Sequence, residues 1–401
     1  MKNSGVEWIG EIPEDWEVKP VKRYFSHVKR IVGDDVDKYE RLSLTMQGVL
    51  KRSKDDAEGL QPEKFNGYQI LKQNELVFKL IDLENVNTSR VGISPFNGLV
   101  SPAYIILSNN KKDNTFYYYW FLNMYYQEIF NKLGDGGVRS ALNASDVLSL
   151  PMVYLNNETQ QRIASYLDKK CNKIEETIQN QQQVIEKLKA YKQSLITEAV
   201  TGKVKIENGK ACGEYESYKD SGVEWIGKIP SEWDTIRIKW LLNERKERSE
   251  EGKEEPLSMS QKYGLIPTKE METIPNMAST FVGAKLTYKD DIVFNKLKAH
   301  LGVFSVSKYD GLVSPDYAVY TSTGKADLKY LEYLFKTPQC ISEFKKRSTG
   351  VGEGLTRLYT GELFSIYIPF PEKKTQKNIA NFLVSISTAI DTAIEQKQKL
   401  I

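Results

Sequence analysis

Hydrophobic and polar positions alternate in two regimes along this chain. Between positions 158 and 199 there is neither proline nor glycine, and apolar residues recur at Ile163, Leu167, Cys171, Ile174, Ile178, Ile185, Leu188, Leu195 and Ala199. Spacings of three, four and seven form the stripe of a coiled-coil helix. Gln181 and Lys192 interrupt it, and polar seam positions fix register at a cost in stability. Asn156 or Asn157 is placed to cap its start and Gly202 its end. About 42 residues rising ~1.5 Å each predict a rod of ~60 Å. A second stripe runs through Ile379, Leu383, Ile390, Ile394 and Ile401. An isolated long helix needs cover for its apolar face. The simplest cover is an antiparallel pair, with Ile174, Ile178, Gln181, Ile185 and Leu188 facing Ile390, Ile394 and Ile401. The second stripe stops at Ile401 while the first continues to Ala199, so part of the first helix is expected to lie open to a partner chain.

Elsewhere the pattern shortens. Runs at 77–80, 103–107, 291–295 and 317–320 are β-branched or aromatic and bounded by Gly, Pro and Asn, which predicts strands. Positions 116–133 and 328–346 are longer and amphipathic, which predicts helices, with Pro338 breaking or offsetting the second. Positions 134–137 and 350–354 are glycine-rich and read as loops. The fold class is mixed α/β, of the α+β kind.

The chain is also written twice. KNSGVEWIGEIPEDW at 2–16 returns as KDSGVEWIGKIPSEW at 219–233, with 11 of 15 positions identical. NGLVSPAY at 97–104 returns as DGLVSPDY at 310–317, and TQQRIA at 159–164 as TQKNIA at 375–380. A period of about 216 residues is too long for a solenoid, so each copy is a domain with its connector. The expected division is 1–155 for the first domain, 156–212 for the first long helix and linker, 213–371 for the second domain and 372–401 for the second helix.

Composition narrows the chemistry. Net charge is +3, from 56 basic and 53 acidic residues, too balanced to signal nucleic-acid binding by itself. The two connector stretches carry the small excess, 10 basic against 7 acidic over 156–212 and 5 against 3 over 372–401. Three scattered cysteines and two histidines speak against a disulfide framework or a zinc site. No apolar stretch approaches the ~20 residues of a membrane span, and no apolar leader opens the chain, so a cytoplasmic, non-membrane protein is expected. Neither GxxxxGK[ST] nor a strand-to-helix GxGxxG is present, nor the usual amino-methyltransferase tetrapeptide. A nuclease reading of Pro315-Asp316 with Glu343-Phe344-Lys345 fails at the first copy, which has Pro102-Ala103. The aromatic run 116–121 resembles a base-stacking platform, but its side chains would point all round a helix, so core packing is favoured. The charged run 244–255 reads as a solvated loop or helix end.

Basic residues with short polar neighbours are more suggestive, because Arg, Lys, Asn and Gln reach phosphates and base edges. The candidates are Lys51, Arg52 and Lys54; Lys79 with Arg90; Arg139, Ser140 and Asn143; Lys262 and Tyr263; Lys296, Lys298 and His300; and Arg357 with Tyr359. Spread over two equivalent domains, they fit a reader of split DNA.

SGVEWIGxIPxxW opening each half, GLVSPxY in its middle and TQxxIAxxL leading into a long helix together resemble the specificity subunit of Type I restriction–modification enzymes. The resemblance covers nearly the whole chain. It implies two target recognition domains, separated by two long antiparallel helices and related by a pseudo-two-fold axis. Each would read half of an asymmetric, bipartite target in double-stranded DNA. The helices would act as a ruler and dock two modification (methyltransferase) subunits, which restriction (translocase–nuclease) subunits join. S-adenosylmethionine, ATP and Mg would belong to those partners, and this chain would hold no cofactor or metal and catalyse nothing. Trp8 and Trp225 are then expected as core or helix-docking anchors. Two competing readings are a fused nuclease or methyltransferase and a coiled-coil scaffold that binds only proteins.

Overall fold

The computed structural model describes residues 1–55, 64–81, 83, 90–111, 113–133, 141–261, 263–273, 280–352 and 355–401. It divides the chain into two compact units, Met1–Glu175 and Glu176–Ile401. The division falls inside the long helix, so each unit owns one end of it.

In the first unit, the predicted apolar runs form an antiparallel sheet. Ile105–Ser108 lies between Ser26–His27 and Leu76–Lys79, and Arg90–Ile93 follows at the edge. A second sheet orders Gly48–Arg52, Arg41–Thr45, Gly98–Val100 and Gln69–Leu71, with one parallel contact at Leu99 and Arg41. The expected helix at 116–133 is two helices, α1 (Thr115–Tyr126) and α2 (Ile129–Leu133), parted where Glu128 takes φ 57°. The aromatic run lies on α1. Phe116, Tyr117 and Phe121 are buried with Phe78 and Phe130, and Trp120 meets Trp8 with ring centroids 5.8 Å apart. Tyr119 donates to Asp168 at 2.7 Å and thereby ties α1 to the long helix. A short helix, α3 (Ala144–Ser149), and the pair Pro151–Tyr154 with Glu17–Pro20 complete the unit.

The long helix α4 runs over Asn157–Val200, 44 residues. Asn156 caps its start, its Oδ1 accepting from Thr159 N at 2.8 Å. Its end is a glycine C-cap. Gly202 has φ +76°, Lys203 N donates to Glu198 O at 2.8 Å and Gly202 N to Ala199 O at 3.4 Å.

The second unit repeats the first. Tyr317–Ser322 lies between Leu242–Glu244 and Ile292–Asn295, with Phe304–Val306 at the edge. The expected helix at 328–346 divides into α5 (Leu328–Phe335) and α6 (Pro338–Arg347), with Thr337 capping α6 and Pro338 in its first turn. One correction concerns 350–354. Thr349–Gly352 pairs with Leu355–Arg357, because Thr349, Val351 and Thr356 are β-forming residues that outweigh the glycines, while 353–354 and the expected loop at 134–137 lie outside the described residues. The run 244–255 is a mostly exposed loop as expected, with one anchor, Arg245, which grips the buried Asp291 carboxylate through two bonds, at 2.8 and 3.1 Å. Helix α7 (Thr360–Ser365) and the pair Tyr367–Phe370 with Asp234–Arg237 lead into α8 (Lys373–Gln398). No helix among the described residues is long and apolar enough to cross a membrane.

The repetition extends to atoms. Lys72 N donates to Glu75 Oε2 at 2.9 Å in one copy, and Tyr288 N to Asp291 Oδ2 at 2.8 Å in the other. Both acids take an arginine, Arg30 or Arg245, although Val28, not Arg30, is the backbone counterpart of Arg245. The shared GLV block needs its glycine. A Cβ at Gly98 would stand 2.7 Å from Glu40 O, and one at Gly311 would press still closer on Glu255 O.

Within the second unit α4 and α8 lie antiparallel. Lys397 Nζ donates to Gln181 Oε1 at 3.1 Å, Ile185 is buried with Ile390 and Ile394, and Lys192 Nζ meets Asp391 at 2.7 Å. Leu188 packs on the same trio, and Ile178 is half-buried. Both polar interruptions of the stripe therefore find polar partners across the pair. Two expected seam residues stand elsewhere. Ile174 belongs to the first unit and is 58% exposed, and Ile401 lies past the end of α8 and is 47% exposed. Ile379 and Leu383 are buried in the second domain's core with Ala199, Val200 and Trp233, because the first turns of α8 and the last of α4 serve that core.

Candidate nucleic-acid interface

The repeated SPxY turn organises the candidate residues. In the first domain, the Gln69 amide donates to the carbonyls of Ser101, Pro102 and Tyr104 at 3.2, 3.2 and 2.9 Å and so holds the turn. In the second, Lys285 occupies the same register, opposite Val313 as Gln69 is opposite Val100, and its ammonium donates to Tyr317 O at 2.6 Å. Lys285 is only 8% exposed. Burial and then the nearby Lys296 charge hold its ammonium below the usual lysine range.

Around the first turn the cations come from strands. Arg41 pairs directly across from Arg52, and Lys79 from Arg90. Burial pushes the Tyr104 phenol up, Tyr68 adds to this, and the charges of Arg41 and Arg90 pull against it, which places both beside the turn. Arg90 also donates to the Tyr125 hydroxyl at 3.3 Å. Lys51 is committed to Glu40 at 2.6 Å and lies over the Phe96 ring. Two candidates in this domain have structural contacts. Lys54 donates to Val36 O at 2.7 Å, and Asn143 caps α3, accepting from Ser145 N and Asp146 N at 2.8 and 3.2 Å. Arg139, Ser140 and Lys262 lie outside the described residues.

Around the second turn the cations come from other positions. Leu358 N donates to Lys296 O at 3.0 Å, so the strand that carries Arg357 runs beside Lys296. Arg357 Nη2 donates to Asp316 Oδ1 at 2.8 Å. Lys296 makes no ion pair among the described residues. Lys298 and His300 stand on a short turn, 298–301, beside α6; Lys298 is exposed, and His300 Nδ1 is buried without a hydrogen bond. Tyr263 is half exposed in the hairpin turn between Leu257–Ser260 and Gly264–Pro267. Tyr359 flanks the start of α7 with its ring exposed.

Register makes the two sets comparable. The bond Leu142 N to Leu80 O, 3.1 Å, mirrors Leu358 N to Lys296 O, so Leu80 corresponds to Lys296 and Ala141 to Arg357. Gln69 corresponds to Lys285 and Ala103 to Asp316. In the other direction, Arg41, Arg52, Lys79 and Arg90 correspond to Pro256, Thr268, Asn295 and Val303. Every cation compared has a neutral counterpart in the other copy. Lys285 and Arg41 escaped the reading of single segments, and Asp316 entered it only as an acid of the nuclease reading; aligning the two copies position by position would have exposed the first two. The acids of the nuclease reading are engaged separately, Asp316 with Arg357 and Glu343 with Lys346 and Arg347 on α6.

Comparison with known proteins bears on this arrangement. A family model described as the Type I restriction modification DNA specificity domain matches residues 52–187 and 230–401. A Methanocaldococcus jannaschii protein named as a type I restriction enzyme MjaX specificity subunit is 25% identical over 417 residues, which span 98% of this chain and 91% of that protein. A structure from work on complex assembly and conformational transition of the type I R-M system matches with a TM-score of 0.66 at 11% identity, over 97% of this chain and 94% of that one. The HsdS subunit from Thermoanaerobacter tengcongensis matches with a TM-score of 0.53 at 12% identity, over the same shares. At such identities the solved structures speak to the fold alone.

Proposed function

This chain belongs to the family of the Type I restriction modification DNA specificity domain, and from that premise we propose that it reads a bipartite, asymmetric DNA target, one half with each domain, and catalyses nothing itself. The observation that carries this reading is the exchange of cations around a common turn. Two domains keep one strand register around the turn, and in each an acid accepts from the backbone N–H three residues before it, yet they place their positive charge at different register positions. Selection for stability alone gives no reason to relocate charges while preserving the strand register that carries them. Reading two different half-sites does, since base identity is written in groove donors and acceptors while the phosphates ask only for charge.

The α4–α8 pair is the proposed ruler and dock. Its polar bonds at 181–397 and 192–391 fix the register of the two helices, which a spacer between half-sites requires. Modification subunits would bind along it and supply S-adenosylmethionine, and restriction subunits would supply the ATP and Mg chemistry. The residues described in this chain support positioning: cations, hydroxyls and amides on a rigid frame.

Footprinting of the chain assembled with its modification subunits tests the reading. Two short protected patches separated by several unprotected base pairs are expected. One continuous patch, or none, overturns it, and methylation by the purified chain alone overturns the non-catalytic role.

A further inference from the structure

We propose that Asp316 is a positioning residue that aims Arg357 at a guanine in the half-target of the second domain. The inference rests on the DNA-reading function proposed above and names the chemistry of one of its contacts.

Arg357 closes the strand Leu355–Arg357, and Asp316 stands in the SPxY turn. They meet through a single bond, Nη2 to Oδ1 at 2.8 Å, with the side chains 26% and 57% exposed. An ion pair so open to water adds little to stability. Its effect is geometric. A guanidinium is planar and rigid, so anchoring one nitrogen fixes the direction of its remaining donors. Nη1 donates no hydrogen bond among the described residues. A planar fork with donors to spare matches the paired O6 and N7 acceptors of guanine in the major groove.

A phosphate would offer acceptors as well. Here, however, the exposed Asp316 carboxylate sits against the guanidinium and repels a second anion, which favours the uncharged edge of a base. Lys296, beside the same strand and without an ion pair among the described residues, is the better phosphate partner. The first domain has Ala103 and Ala141 at the two corresponding positions, so it lacks the device, and the guanine contact belongs to one half of the target only.

The test uses the full chain assembled with its modification subunits, on a DNA library randomised through both half-sites. Arg357→Ala is expected to relax one G·C position in the second half by about 5- to 150-fold. Asp316→Ala, which installs the first domain's residue, should relax the same position, and Asp316→Glu should restore it. The first half and the melting temperature should not move, which a merely structural role for the pair would not predict. If Arg357→Ala instead weakens all sequences alike and flattens the salt dependence, Arg357 holds a phosphate and the inference is wrong. If Asp316→Ala leaves discrimination intact while Arg357→Ala does not, Asp316 positions nothing. A parent complex that shows no split target at all would remove the underlying function, and a normal parent with unchanged variants would remove this inference alone.

Discussion

At the scale of single residues, the two copies differ in cost at Lys285. Its ammonium is buried beneath the SPxY turn where the first domain uses the neutral Gln69. Because its folded-state pKa is lowered from 10.5, the unfolded chain binds more protons in the window just below 10.5. Stability contributed at this position therefore rises with pH through that window. Lys285→Gln should remove the rise, and thermal melts of both proteins at pH 7 and pH 10 will show it as a difference that shrinks at the higher pH. Gly98 and Gly311 are the opposite case, identical in both copies because backbone carbonyls leave no room for a Cβ. Gly98→Ala should cost about 1–3 kcal/mol by overpacking, measured by denaturant unfolding. Lys296→Leu, which copies Leu80, should weaken DNA binding without changing base preference and lower the slope of log K against log salt by about 0.9.

Elements were legible to different degrees, for physical reasons. The strands at 292–295 and 317–322 and the long helix announced themselves because apolar periodicity is a local property. Helix ends and breaks were legible where a cap or proline marked them, as at Asn156, Gly202 and Pro338. The break between α1 and α2 carries no such mark; Glu128 simply adopts a left-handed turn. The seam was half legible. Ile185, Ile390 and Ile394 meet as the heptad spacing implies, whereas Ile379 and Leu383 carry the same spacing into a domain core. One apolar stripe cannot say which of two neighbours covers it. The candidate site was less legible still, since contacts such as Lys51 with Glu40, Lys54 with the Val36 carbonyl and Asn143 at the start of α3 join residues that no sequence pattern pairs. For the pair itself, Ile185→Ala should lower unfolding stability by about 2–4 kcal/mol. Asp391→Lys should cost about 1 kcal/mol, and adding Lys192→Asp should restore it, since the partners at 2.7 Å are merely exchanged.

At the scale of the whole molecule, the proposed reading makes duplication the means by which one chain would specify two half-sites. A single framework, repeated, removes the need to evolve a second scaffold, and each copy is free to relocate its charges around the same turn. On the proposed reading the +3 net charge is no obstacle, because recognition would depend on where the cations stand and not on their total. The account's central claim is that each domain reads its own half. The most direct measurement is the methylation pattern of a host carrying the chain with its modification subunits, before and after residues 1–155 are exchanged for those of another family member. The account predicts that one half of the methylated sequence changes while the other half and the spacer stay as they were. A pattern in which both halves change, or neither does, would contradict it.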